Sequence, residues 1–75
     1  MNTEYNRLAR DWESEALYKV QHGDEYSTPW NYYTDDIEDA IKVARFCVEE
    51  MRDDYAEVLK KDETPGRYIS IVRLS

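Results

Sequence analysis

Seventy-five residues leave room for one domain, 1–75, and a modest core; at this size only about 60% of the unfolded chain's surface becomes buried. Seventeen acidic residues against ten basic ones give a formal net charge of −7, a field that disfavours direct binding of nucleic-acid phosphates. One cysteine excludes an intramolecular disulfide, and two glycines leave no phosphate-cradling loop. With no apolar run long enough to span a bilayer, and none resembling a secretory signal, the expected setting is the cytoplasm.

Taken in chain order, Tyr5, Leu8, Ala9 and Trp12 recur at i, i+3, i+4 and i+7. This spacing predicts a short amphipathic helix over residues 3–12, capped by Asn2 or Thr3. From Ala16 to His22, Ala16, Tyr18 and Val20 alternate with Leu17, Lys19 and Gln21, which predicts a strand stopped at Gly23-Asp24. Residues 24–34 then read as a long connection, with at most a short edge strand around Asn31 to Thr34. Pro29 argues against a central strand there.

A long helix follows, from Thr34-Asp35-Asp36 to about Asp53. Asp35 and Glu38 fit a capping box, and the acidic first turn complements the helix dipole. Ile37, Ala40, Ile41, Ala44, Cys47, Val48 and Met51 repeat at helical spacing, with Val43 and Phe46 widening the stripe. Tyr55–Lys61 and Arg67–Leu74 read as a hairpin turning at Pro65-Gly66, a pair suited to the centre of a type II turn. Alternation offers Ala56, Val58, Ile69 and Ile71 to the helix. It puts Tyr55, Leu59, Tyr68, Val72 and Leu74 on the other face. The predicted fold is α+β: a three-stranded, mostly antiparallel sheet, one long helix on a face, and a short N-terminal helix (α-β-α-β-β). The apolar outer face needs a cover, either the first helix, a target protein, or a second copy meeting Leu59, Tyr68, Val72 and Leu74.

Catalytic chemistry is hard to find. His22 reads as a surface residue at a strand end, and Cys47 as small core packing, with nothing in the sequence to bring the two together. Asp35, Asp36, Glu38 and Asp39 radiate around a helix start, which capping explains without a cation. No enzyme activity, cofactor or metal is expected.

The stretch from Asp24 to Asp39 carries what remains. It places Tyr26, Trp30, Tyr32 and Tyr33 within eight residues, between Asp24-Glu25 and Asp35-Asp36-Ile37-Glu38-Asp39. Trp and Tyr dominate binding hot spots, and neighbouring carboxylates suit Arg or Lys on a partner. The competing reading folds these rings back over the sheet as core. In size, acidity, lack of a catalytic motif and α+β pattern, the whole chain resembles small phage-encoded antagonists of host defence, such as anti-CRISPR proteins. That resemblance implies a mode of action only: an inhibitor occupying a basic, nucleic-acid-handling surface of a target protein. Asp24, Glu25, Asp35, Asp36 and Asp39 would then stand in for phosphates, with Tyr26, Trp30, Tyr32 and Tyr33 as anchors. The alternatives are a homodimer or larger homo-oligomer, and a small-ligand binder that stacks a ring on the aromatic loop.

Overall fold

The computed structural model describes residues 15–75 and the short strand Glu4–Tyr5. Its elements are β1 (Glu4–Tyr5), β2 (Tyr18–Gly23), β3 (Trp30–Thr34), α1 (Ile37–Glu49), β4 (Tyr55–Lys61) and β5 (Tyr68–Leu74). The class is α+β, with one helix on an antiparallel sheet. Four strands in the order β3-β2-β4-β5 form the body of that sheet, and β1 adds two residues beyond β3. Of the helix expected over residues 3–12, Glu4 and Tyr5 are instead extended and pair with Tyr33 and Tyr32. The rest of that prediction lies outside the described residues. No described helix is long and apolar enough to cross a membrane.

The expected count of three strands is corrected by β3. Pro29 lies just outside the strand, where its missing N–H removes no ladder bond, so Trp30–Thr34 pairs fully with β2, His22 opposite Trp30 and Tyr18 opposite Thr34. Because β2 is antiparallel to both β3 and β4, the chain leaving β3 crosses over β2 through α1 before returning as β4.

The helix begins one residue later than the capping box implies. Asp36 is the N-cap, accepting a bond from the Glu38 N–H at 3.0 Å, whereas the Asp35 carboxylate accepts from the Leu17 N–H at 3.0 Å. It also ends earlier than expected, at Glu49. The N–H groups of Glu50 and Met51 both return to the Phe46 carbonyl, and Arg52 then takes a left-handed φ of 62°. That conformation, more common for glycine, turns the chain away from the helix axis.

Small residues set the helix against the sheet. Ala40, Ala44 and Cys47 are buried on Val20, Ala56 and Val58, with Tyr18, Tyr32, Ile37, Val43, Val48 and Leu74 packed around them. Ile41, Phe46 and Met51, placed on the broad stripe by periodicity, remain largely exposed. At the hairpin tip, the Arg67 N–H donates to the Thr64 carbonyl at 3.1 Å and Gly66 has φ of 78°, as a type II turn through Pro65-Gly66 requires.

The two faces of the hairpin follow the prediction for Ala56, Val58 and Ile69 on one side and Leu59 and Tyr68 on the other, but not beyond a bulge in β5. A bulge against Val58/Leu59 shifts the register of β5, so that Val72 pairs with Val58, Leu74 with Ala56, and Leu59 with Ser70. One extra residue in a strand reverses which face the following side chains take. Val72 and Leu74 therefore belong to the helix side, while Leu59 and Tyr68 lie on the opposite side. Ile69 and Ile71, expected beneath the helix, are about half exposed.

Candidate functional site

The aromatic-acidic stretch divides between the two ends of β3. At the far end, Asp36 caps α1, Asp35 holds the Leu17 N–H, and Asp39 accepts the Tyr32 hydroxyl at 2.8 Å. Tyr33 is 1% exposed and lies on the face opposite the helix, its ring tilted against Tyr68 at 6.5 Å between centroids. The Tyr68 hydroxyl donates to the Ala16 carbonyl at 2.9 Å, and the Lys19 ammonium sits 4.7 Å from the Tyr68 ring centre. Tyr32 and Tyr33 thus serve the fold, as the core reading anticipates.

The near end differs. Asp24 organises the β2–β3 connection, accepting the Tyr26 N–H at 2.8 Å and the Ser27 hydroxyl at 3.1 Å. This turn holds Tyr26 out in solvent at 95% exposure, and Trp30 follows at 39%. Glu25 lies 3.7 Å from the Arg73 guanidinium, which also stands over the Tyr55 ring at 4.5 Å.

Sequence reasoning missed what meets this connection. The segment after α1 packs against it: the Asp54 N–H donates to the Gly23 carbonyl at 3.0 Å, and the Glu25 N–H to an Asp54 carboxylate oxygen at 3.4 Å. Gly23, with φ of 144°, adopts a backbone that side-chain-bearing residues rarely take. A cavity of about 320 Å³ opens between the two segments, walled by Asp24, Trp30, Arg52, Asp53 and Asp54. Three aspartates, an arginine and a tryptophan thus line one volume. No local pattern announces this, because the partners lie about thirty positions apart in the chain.

Behind the cavity wall, His22 is fully buried, not the surface residue expected, and its Nδ1–H donates to Asp53 Oδ2 at 2.7 Å. Cys47 is buried as predicted, at 1% exposure. Its sulfur lies within 4.8 Å of both a His22 ring nitrogen and an Asp53 carboxylate oxygen, so the structure brings together a histidine and a cysteine that nothing in the sequence linked. Burial, followed by the charge and hydrogen bond of Asp53, pushes the thiol up from 9.0 to about 11. A nucleophilic cysteine needs the opposite setting, with a lowered pKa and a base beside it.

Comparison with known families, curated proteins and solved structures finds no match to this chain.

Proposed function

We propose that the protein is a non-enzymatic binding module that takes a basic side chain of a partner protein into the Asp24–Trp30–Asp54 cavity. The observation that carries this reading is that Asp24, Asp53, Asp54 and the part-exposed Trp30 line one concave site. An incoming guanidinium would pair with Asp24 and Asp54 and stack on Trp30, an arrangement worth about 0.5–1 kcal/mol for the ring contact at a partly exposed site. Tyr26 extends the contact surface from the same turn. A target surface that normally holds nucleic acid offers many such cations, so inhibition by occupying it, as in the anti-CRISPR-like resemblance, is the biological role we favour.

The test is affinity capture from the native host, followed by binding measurements on the captured target. Trp30→Ala and Asp54→Asn weaken binding at least tenfold under this reading. Arg52→Gly strengthens it, because it removes the cavity's own cation and suits the left-handed φ. A chemical-shift titration of the Trp30 indole with a short arginine peptide checks the pocket directly. Unchanged binding by the Trp30 and Asp54 variants would sink the idea.

A homo-oligomer is a second reading, favoured by β5. Among the described residues no strand pairs with its outer edge, and Ile69, Ile71 and Val72 are exposed along it. Solution size across a dilution series decides this: a strict monomer at micromolar concentration removes it.

A further inference from the structure

The buried group behind the cavity has a composition that partner binding does not use. His22 offers an imidazole nitrogen, Cys47 a sulfur and Asp53 a carboxylate oxygen, all within 4.8 Å of one another. They come from the end of β2, the last turns of α1 and the segment beyond it. The main chain fixes their meeting: the Asp53 N–H donates to the Cys47 carbonyl at 2.9 Å, and the Asp54 N–H to the Gly23 carbonyl at 3.0 Å. His22 and Cys47 are anchored in the core, while the Asp53 side chain is 18% exposed and forms part of the cavity wall.

This donor set discriminates among cations. Calcium and magnesium want oxygen ligands throughout, whereas one sulfur, one imidazole and one carboxylate suit zinc. Around tetrahedral zinc, bonds of about 2.0–2.3 Å place ligand atoms roughly 3.3–3.8 Å apart. With no pair of ligand atoms more than 4.8 Å apart, that arrangement is reached by side-chain shifts of roughly an ångström. A small core without a disulfide is also the setting in which a bound metal contributes most to stability.

We propose that His22, Cys47 and Asp53 form a three-residue zinc site whose fourth position opens toward the cavity. Coordination takes the thiolate, so the thiol proton passes to solvent. The neutral imidazole presents the Nδ1 lone pair with its proton on Nε2, and Asp53 exchanges its imidazole bond for the metal. The two readings share Asp53 as a wall residue but are told apart by their variants: Trp30→Ala and Asp54→Asn test partner binding, whereas Cys47→Ala tests the metal.

Cobalt(II) is the probe of choice. One equivalent added to the full-length, chelator-stripped, reduced protein should produce a thiolate-to-cobalt charge-transfer band in the near ultraviolet and strong four-coordinate visible bands. Cys47 is the sole cysteine, so that band reports on it alone. Zinc should then bleach both features and raise the melting temperature. Cys47→Ala should lose the band. Asp53→Asn, at the exposed side of the site, should weaken zinc by at least the roughly tenfold that losing even an outer-shell partner costs. Should stoichiometric cobalt give only the pale spectrum of oxygen-bound metal, with no ultraviolet band, the metal sits on surface carboxylates and the proposal is overturned. A melting temperature that zinc raises equally in the wild type and Cys47→Ala would overturn it too.

Discussion

Cys47 is buried among hydrophobic residues, yet its sulfur lies within 4.8 Å of the Asp53 carboxylate. Burial is the main cause of its raised pKa, with the Asp53 charge and hydrogen bond adding to it. The consequence for stability has a definite sign. In the metal-free protein, the folded state keeps the thiol proton up to about pH 11, whereas an unfolded chain releases it near 9. The stability tied to the protonated thiol is therefore complete below pH 9 and is lost as pH rises toward 11, by an amount on the order of 2–3 kcal/mol. Burial likewise raises Tyr55 above its usual 10, which extends the loss in the same direction. Denaturant unfolding in the presence of a chelator, repeated from pH 7 upward, should show this decline, and Cys47→Ala should flatten its first part. Alkylation of the thiol should be slow at neutral pH for the same reason.

Between α1 and the sheet, the spacing is set by side-chain size. Ala40, Ala44 and Cys47 let the helix lie close over Val20, Ala56 and Val58. Ala44→Leu introduces bulk into a contact with no room for it, which costs about 1–3 kcal/mol and should appear as a lowered denaturant midpoint with an unchanged slope. The helix itself, β2 and the β4–β5 hairpin are legible in the sequence, because periodicity, an acidic first turn and Pro65-Gly66 are all local signals. What escaped was non-local. The strand β3 reads from the sequence only as a short edge piece around Asn31 to Thr34, although the penalty of Pro29 applies inside a strand and not one residue ahead of it. The β5 bulge carries no glycine or proline to mark it, and it alone reassigns Val72 and Leu74. Likewise the early end of α1 rests on Arg52 in a conformation that sequence preference assigns to glycine or asparagine. That turn is what delivers Asp53 to His22 and Asp54 to Gly23. Half of the candidate site, Asp24 with Tyr26 and Trp30, could be read from the chain. The other half depended on where the helix stopped.

Across the whole molecule, the net charge of −7 is not spent evenly. Asp35, Asp36 and Asp39 are engaged in starting the helix and holding Leu17 and Tyr32, while Asp24, Asp53 and Asp54 surround the cavity at the other end of β3. The two groups should therefore respond differently to neutralisation. Asp36→Ala removes an N-cap and should cost about 0.5–2 kcal/mol of stability with little effect on partner binding. Neutralising Asp24 or Asp54, which pair with the bound cation, should both slow association and speed dissociation, whereas Trp30→Ala should chiefly speed dissociation, since a stacked anchor governs residence. Ionic strength separates the long-range part: between about 0.01 M and 0.15 M the screening length falls from roughly 30 Å to 8 Å. Association with a basic target should slow markedly over that range, while the dissociation rate changes far less. Surface-captured target and a salt series at fixed pH give both rates in one experiment. An association rate indifferent to salt means that the acidic field does not guide the encounter, and the cavity must then recognise its partner by shape and stacking alone.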